Sequence, residues 1–219
     1  MEPRQEDQTR QRGALMRQLV LADRPVGRPV AATDFAMVDV PMPAPGAGQM
    51  LLATRWLGFE PAQKGWMENF GGYVAPIEMG DVMRGMGVAE VIASEGGKFP
   101  VGAMVTGMTG WTEALVSDGA GFDLCHADLP PEAMLGLLGI PGLTAWVGLH
   151  RIGRPVAGDT VVVSGAAGAT GSVAGQLAKI AGCQVIGIAG GAEKCAWLVE
   201  EAGFEADTNY KAGDISGQV

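Results

Sequence analysis

The chain has 219 residues, of which 47% are hydrophobic and 18% charged, so it can bury a sizeable core and is not an intrinsically disordered protein. Its formal net charge is −9 and no run of lysine or arginine stands out, which argues against nucleic acid and anionic membranes as partners. The three cysteines are scattered and predict no disulfide framework, as expected for a cytoplasmic protein.

The first part of the chain has the pattern of a β domain. Residues 1–13 are polar and are predicted to form a disordered lead-in. From residue 14 onward, short β-like runs alternate with turns rich in glycine and proline, which is typical of an antiparallel barrel or sandwich. The clearest runs are LMRQLVLA, DFAMVDV, MLLATRWLGF, VMRGMGVAEVIA and AMVTGM. We therefore predict one β domain over residues 14–130.

After Pro130 the pattern changes to alternating helices and strands. PEAMLGLLG and LTAWVGLHRI are predicted as short buried helices that meet near Pro141. TVVVSG has β-branched residues without alternation, which predicts a strand buried on both faces. A glycine-rich turn, the helix SVAGQLAKIAG, the strand CQVIGIAG, the helix GAEKCAWLVEEAG and the short strand EADTNY follow. This β-α-β-α-β order is the first half of a doubly wound sheet, predicted over residues 131–219.

The glycine-rich turn at residues 166–171 lies between a strand and a helix, where a dinucleotide-binding turn is expected. Gly168 would let the main chain approach a pyrophosphate, and Gly171 would let the helix pack close to the strand. The free N–H groups and the dipole at the helix start favour an anion there. Ala166 stands where the usual pattern has its first glycine, and a tight turn that binds nothing is the alternative interpretation.

The end of the second strand favours one dinucleotide over the other. NAD enzymes usually carry an acidic residue there, about 20 residues past the glycine motif, which holds the ribose 2′-hydroxyl. Here residues 188–191 read IAGG, and Gly190 leaves room for a 2′-phosphate. Lys194 follows in the first turn of the next helix and can supply a positive charge. We predict NADP(H), although Glu193 could reach the ribose and Lys194 could be a solvated helix residue.

Several separated segments resemble those of one family, in the order that the family has them. The segments are VGRPVAATDFAMVDVPMPAPGAGQMLL, GDVMRGMGVAEVIAS, VGAMVTGMTGWTEALV, GIPGLTAWVGL and VVVSGAAGATGSVAGQLAKIAGCQVIGIAGGAEKCAWLVEEAGF. Over residues 15–211 the chain is similar to the zinc-independent medium-chain dehydrogenases/reductases, most of all to the leukotriene B4 dehydrogenase / prostaglandin reductase group. The resemblance implies an α/β protein: a GroES-like β-barrel domain followed by the first half of a Rossmann doubly wound sheet.

The resemblance also implies an activity and the residues that contact the cofactor. The activity is NADPH-dependent reduction of the activated C=C bond of an α,β-unsaturated aldehyde or ketone. The implied cofactor contacts are Gly168, Ala169, Thr170 and Gly171 at the pyrophosphate, Lys194 and Tyr210 near the 2′-phosphate, and Thr144 towards the nicotinamide end. Many members have an Asp-Pro-Tyr-Met-Arg loop where residues 60–64 here read EPAQK, so the tyrosine of that loop is absent.

Members of the family continue beyond the position of Val219 through a second βαβ half and a return segment. The resemblance therefore predicts that the Rossmann part is C-terminally incomplete here and that a full-length form is a homodimer. We expect the 219 residues alone to bind NADPH weakly and to reduce enones poorly or not at all. Their first parallel strand would lack a neighbour on one side.

Candidates on the substrate side come from residue types. Tyr73 could border a substrate pocket as a hydrogen-bond donor, or it could lie on the surface of the β domain. Met108 and Trp111 could line an apolar pocket, although such residues more often belong to a core. No metal site is predicted, because Cys125 and His126 are adjacent and neighbours on a strand point to opposite faces.

Two alternatives to an enone reductase stay open. A quinone oxidoreductase of the same superfamily would use NADPH with another substrate and another electron count. A truncated, non-catalytic chain would bind NADP without turnover. Assays with an enal and with a quinone separate the first two classes, and nucleotide binding without turnover identifies the third.

Overall fold

The computed structural model describes residues 14–70 and 74–213. The chain divides into two compact units, one that ends at Leu135 and one that begins at Gly136. Two predictions, the disordered lead-in at 1–13 and the role of Tyr73, fall outside the described residues. Among the helices of these residues, none has the length and apolar character that crossing a bilayer requires.

The N-terminal unit consists of antiparallel strands, as the alternating β-like runs predict. β1 (Leu15–Leu21) pairs with β2 (Phe35–Pro41) along its whole length. A second sheet contains five strands in the order β6-β3-β4-β5-β7. Their bounds are β3 Met50–Leu57, β4 Met86–Ser94, β5 Met104–Met108, β6 Ala114–Ser117 and β7 Phe122–Leu124. Isolated bridges between Gln18 and Thr112 and between Val20 and Val82 connect β1 to the segments beside this sheet.

One face of the five-stranded sheet forms the largest core of this unit. Alternate residues of a strand point to the same face, so Met50 and Leu52 of β3 meet Ala89 and Val91 of β4 there. These side chains and Val105 of β5 are completely buried. Burial of apolar area at this density supplies most of the stabilisation of the unit.

A helix that the sequence analysis did not predict, α1 (Pro61–Glu68), follows β3. Its start is a reciprocal capping box, in which the Glu60 N–H donates to Gln63 Oε1 at 3.0 Å, and Pro61 occupies the first turn. The helix ends at Asn69, whose φ is +60°. The Glu-Pro-x-Gln spacing at 60–63 is the sequence signal for this helix, and the β-like neighbours obscured it.

The two predicted helical segments lie at the boundary between the two units, and their predicted burial is wrong. PEAMLGLLG contains only a 3₁₀ turn, Pro131–Leu135, at the end of the N-terminal unit. LTAWVGLHRI lies in α2 (Ile140–Trp146) and in a π-helix, Val147–Gly153. Leu143 is 62% exposed and Trp146 is 45% exposed. The small residues Gly142 and Ala145 are the buried ones, so this helix packs through its small side chains and not its large ones.

The rest of the C-terminal unit has the predicted β-α-β-α-β order. Three parallel strands, β8 (Thr160–Ser164), β9 (Gln184–Ala189) and β10 (Ala206–Asn209), are arranged β10-β9-β8. The connections contain α3 (Ala169–Ile180) and α4 (Ala192–Glu200). Val163 and Val185 of the sheet share one core cluster with Ala178 of α3 and Leu198 of α4.

The prediction that TVVVSG is buried on both faces is wrong. Val163 packs in the core, but Val162 is 45% exposed and Thr160 and Ser164 are exposed as well. Val161 and Val163 point towards the helices, whereas Val162 points to the opposite face, because strand residues alternate. Among the described strands, β8 pairs only with β9. The β-branched residues therefore indicate a strand but not how much of it is covered.

Candidate functional site

The carboxyl ends of the three parallel strands lie side by side, and the predicted cofactor residues follow directly after them. The last strand residues are Ser164, Ala189 and Asn209. Backbone hydrogen bonds join the turns that follow: the Ala166 N–H donates to the Ile188 carbonyl at 3.0 Å, and the Tyr210 N–H donates to the Ala189 carbonyl at 3.2 Å. Ligands of open α/β sheets bind outside this edge, so the fold brings the predicted residues to the expected place.

The first turn, between β8 and α3, leaves its backbone bare. Gly165 has a φ of +61°, and a Cβ on Gly171 would collide with the carbonyl oxygen of Gly165. Gly168 is the residue before α3, and no side chain caps the helix start. Gly168, Ala169 and Thr170 are exposed. The uncapped N–H groups and the helix dipole make this helix start suitable for a phosphate.

The second turn, between β9 and α4, brings two predicted residues into contact. A Cβ on Gly190 would lie 2.6 Å from the Tyr210 hydroxyl oxygen and 2.7 Å from Tyr210 Cζ. The ring of Tyr210 therefore rests on the bare backbone of Gly190. Tyr210 is still 53% exposed, so its hydroxyl group lies at the surface of the strand edge.

The start of α4 carries the predicted positive charge. Lys194 is exposed in the first turn of the helix, next to the exposed Glu193. In the part of the chain that the structure describes, Lys194 forms no ion pair. Gly191 precedes the helix and provides no side-chain cap. This helix start therefore presents an ammonium group together with uncapped N–H groups.

Asn209 is a residue of this edge that the sequence analysis missed. Its Oδ1 accepts hydrogen bonds from the Gly191 N–H at 3.0 Å and from the Lys211 N–H at 3.1 Å. It thereby ties the β9–α4 turn to the segment after β10. The available signal was an asparagine at a strand end in NYK, because asparagine side chains often bond to nearby backbone groups.

Thr144 lies in α2, which packs against α3, the helix after the first glycine turn. Its side chain is exposed. Gly142, one of the buried residues of α2, lies against the backbone of Leu137. Thr144 is thus held on a helix that is fixed relative to α3.

The N-terminal unit contains an apolar pocket of about 310 Å³, within the size range of small-molecule sites. Its lining includes Phe35, Phe59, Glu60, Lys64, Met83 and Trp111. The Trp111 ring centroid lies 5.3 Å from those of Phe35 and Phe59, so three aromatic rings form one wall. Met108 does not belong to this lining and is 45% exposed at the end of β5.

Two arginines, Arg24 and Arg28, fix the loop between β1 and β2, which lies beside this pocket. Arg24 donates to the Met67 carbonyl at 2.7 Å and to the Ile77 carbonyl at 2.8 Å. Arg28 bonds to the carboxylate of Asp34, which is completely buried. The Arg28 guanidinium, with help from the Ala31 N–H, holds the pKa of Asp34 below its usual value. The loop is therefore fixed by a buried carboxylate whose ionised form its hydrogen-bond partners favour.

Within residues 14–70 and 74–213, no three His, Cys, Asp or Glu side chains converge as metal ligands would. Cys125 is half-buried, and burial raises the pKa of its thiol. Burial also raises the pKa of the Cys195 thiol, and a hydrogen bond with Asp207 adds to the shift. Both thiols are therefore protonated at neutral pH and are poor nucleophiles.

Comparison with known proteins gives consistent matches over nearly the whole chain. Residues 17–124 match the family model of the N-terminal domain of oxidoreductases. The NADPH-dependent curcumin reductase of Escherichia coli is 40% identical over 206 residues, 93% of this chain and 59% of that protein. Prostaglandin reductase 1 of Bos taurus is 39% identical over 190 residues, 85% of this chain and 55% of that protein.

Solved structures agree with these matches. The crystal structure of CurA from Vibrio vulnificus in complex with NADPH superposes with a TM-score of 0.86 at 43% identity, over 92% of this chain and 60% of that one. The chain thus spans less than two thirds of the length of the relatives that it matches.

Proposed function

Because the chain belongs to the medium-chain dehydrogenase/reductase family, we propose that it provides the β domain and the cofactor-binding sheet of an NADPH-dependent reductase. The proposed substrate is the activated C=C bond of an α,β-unsaturated aldehyde or ketone. One observation carries the proposal: the glycine turn, Gly190, Lys194 and Tyr210 follow the ends of three neighbouring parallel strands. The NADPH-dependent curcumin reductase and prostaglandin reductase among its relatives support the substrate class.

The cofactor contacts divide between the two turns. The uncapped N–H groups at the start of α3, with Gly168, Ala169, Thr170 and Gly171, would bind the pyrophosphate. Lys194 and Tyr210 would bind the 2′-phosphate, for which a cation and a phenol are suitable partners. Thr144 would lie towards the nicotinamide end. NADPH, when bound, supplies the hydride that reduces the C=C bond.

Bound in this way, the pyrophosphate of the cofactor would be fixed mainly by backbone N–H groups, which do not change their protonation with pH.

The aromatic wall around Trp111 would bind the apolar part of the substrate and exclude water from it. The catalytic residues stay unassigned; Tyr73 is the candidate that the sequence offers at the border of the substrate pocket, and Met108 is a second candidate substrate contact, both on residue type. The enolate that forms on reduction needs a hydrogen-bond donor and then a proton.

Further proposals come from the sequence. They are a GroES-like domain at 14–130, a Rossmann part at 131–219, catalysis without zinc, a cytoplasmic location and a homodimeric full-length form. Three free cysteines, two of them buried, support a reducing compartment. The small, largely apolar pocket around Trp111 supports a small-molecule substrate.

The function is tested by product analysis. Purified full-length protein, with the second βαβ half that the family resemblance implies, is incubated with NADPH and a simple enal, and separately with NADPH and a quinone, and the products are identified by mass spectrometry. The 219 residues alone are expected to reduce the enal poorly or not at all. The proposal predicts the saturated aldehyde and NADP⁺ in equal amounts, and little reaction with NADH. Hydroquinone without saturated aldehyde would assign the protein to quinone reduction. Bound NADPH with neither product would identify a non-catalytic nucleotide-binding chain.

A further inference from the structure

The turn between β9 and α4 lies where NAD-binding sheets usually carry the acidic side chain that holds the ribose. We propose that Gly190 and Asn209 are positioning residues for cofactor choice: together they place the Tyr210 hydroxyl where that acidic side chain would otherwise stand. The inference rests on the proposed use of NADPH and adds what determines the preference for it.

Gly190 has no side chain, and the Tyr210 ring occupies the space that a side chain there would fill. A Cβ at Gly190 would come within 2.8 Å of the hydroxyl oxygen, Cζ and Cε1 of Tyr210. The backbone of Gly190 is not in the left-handed region, unlike that of Gly191 with its φ of +109°. The three atoms nearest to such a Cβ all belong to Tyr210, so an alanine at position 190 would suit the main chain but would displace the tyrosine ring. This contact accounts for a glycine at position 190.

Asn209 fixes the backbone on both sides of this contact. Its Oδ1 accepts from the N–H of Gly191, the residue after Gly190, and from the N–H of Lys211, the residue after Tyr210. The Tyr210 N–H in turn donates to the Ala189 carbonyl, just before Gly190. The two segments that hold the ring and the glycine are thus joined by two hydrogen bonds, and the bond from Lys211 to the same Asn209 oxygen fixes the chain after Tyr210.

At this strand end the Tyr210 hydroxyl, a hydrogen-bond donor, takes the place of the carboxylate acceptor that NAD-binding sheets usually have. A carboxylate at this strand end accepts from a ribose 2′-hydroxyl and repels a 2′-phosphate. A phenol in the same space donates a hydrogen bond to a phosphate, and charge-assisted bonds of this kind are strong. The exposed Lys194 and Lys211 add positive charge close to the same turn. The arrangement therefore favours NADPH through a residue from the third strand and not from the second.

A double-mutant cycle on cofactor affinity tests the inference. Dissociation constants for NADPH and NADH are measured by calorimetry for wild type, Gly190→Ala, Tyr210→Ala and the double variant. Gly190→Ala should weaken NADPH binding about tenfold, as expected for loss of a hydrogen bond to a charged group, and leave NADH nearly unchanged. In the Tyr210→Ala background the same alanine should cost nothing further, because the ring that excludes it is gone.

Two more variants separate the hydroxyl from the fold. Tyr210→Phe keeps the ring and should reduce the NADPH preference without a change in melting temperature. Asn209→Ala should lower the ratio of NADPH to NADH affinity in the same direction. Gly148→Ala is the matched control, because a Cβ there has no neighbour within 4 Å, and it should bind both cofactors as wild type does.

The outcomes distinguish this inference from the proposed function. If wild type prefers NADPH but Gly190→Ala keeps the preference, or costs as much with Tyr210 absent as with it present, the inference is wrong and the proposed cofactor stands. Equal losses for NADPH and NADH in the Gly190 and Asn209 variants would also overturn it, because they would show a general effect on the turn. If wild type itself shows no NADPH preference, the proposed function fails with it.

Discussion

In the N-terminal unit, the interior is formed by side chains that meet between antiparallel strands, and Met50, Leu52 and Val105 are completely buried. In the C-terminal unit, the candidate site is formed by backbone, and Gly171 and Gly190 are glycines because an added Cβ would strike another group. Alanine substitutions in the core of the N-terminal unit therefore remove contacts. Alanine substitutions of the glycines at the candidate site of the C-terminal unit add a methyl group where none fits. The comparison teaches that stability and cofactor binding should respond to different kinds of change.

The largest effect on stability is expected for Leu52→Ala, since this side chain is completely buried in β3, which pairs with a strand on each side. Leucine-to-alanine changes at such sites cost about 2–5 kcal/mol. The free energy of unfolding, measured by urea titration, provides the value. Val162→Ala in β8, where the side chain is 45% exposed, is the control and should cost much less. Similar losses for both variants would mean that the two units are equally well packed.

Gly171→Ala should abolish cofactor binding, because its Cβ would collide with the Gly165 carbonyl and displace the turn that binds phosphate. Gly148→Ala introduces the same methyl group into open space and should be neutral. NADPH affinity and melting temperature are measured for both. Normal NADPH affinity in Gly171→Ala would remove the first glycine turn from the site.

Lys194→Ala should weaken NADPH binding by about 1.5–3 kcal/mol, the range for a hydrogen bond to a charged group, at the lower end because Lys194 is exposed. NADH affinity should hardly change. Lys194→Arg, which keeps the charge, is the matched variant. An equal loss for both cofactors would contradict the assignment of Lys194 to the 2′-phosphate.

The smallest effect concerns the acid stability of the N-terminal unit. The Arg28 guanidinium lowers the pKa of Asp34 in the folded state. Its contribution is thus complete above the ordinary value of about 3.9 and is lost as the pH falls through the lower folded pKa. Asp34→Asn should reduce stability at pH 7 and flatten the loss of stability below about pH 4. Urea titrations at several pH values measure the free energy of unfolding. If it decreases below about pH 4 as much in Asp34→Asn as in wild type, Asp34 contributes nothing to the acid stability.

Much of the fold could be predicted because its signals are local. The β-like runs between glycine- and proline-rich turns predicted five of the antiparallel strands, and the glycine turn between TVVVS and its helix predicted the start of the parallel sheet. The burial of β8 could not be predicted, because coverage of a strand depends on which faces its helices occupy. Helix α1 was missed although Glu60, Pro61 and Gln63 carry a helix-start signal.

In the candidate site, too, residues with a local sequence signal could be predicted, and contacts that depend on strand pairing could not. Gly168, Gly171 and Lys194 were available from the motif and its spacing, since each lies within a few residues of a strand end. The contact of Gly190 with Tyr210 joins residues twenty positions apart and depends on the pairing of β9 with β10. The bond of Asn209 to Gly191 depends on the same pairing, so the sequence signal, an asparagine at a strand end, does not identify this partner.

The central claim is that the edge of the parallel sheet binds NADPH, and amide chemical shifts test it most directly. The 219-residue chain is labelled with ¹⁵N and titrated with NADPH and then with NADH. We expect NADPH to shift the amide signals of residues 168–171, 190–194 and 210, and NADH to shift mainly those of 168–171. If NADPH binds and the signals of 168–171 and 190–194 stay unchanged, the site is not at this edge and the account is contradicted.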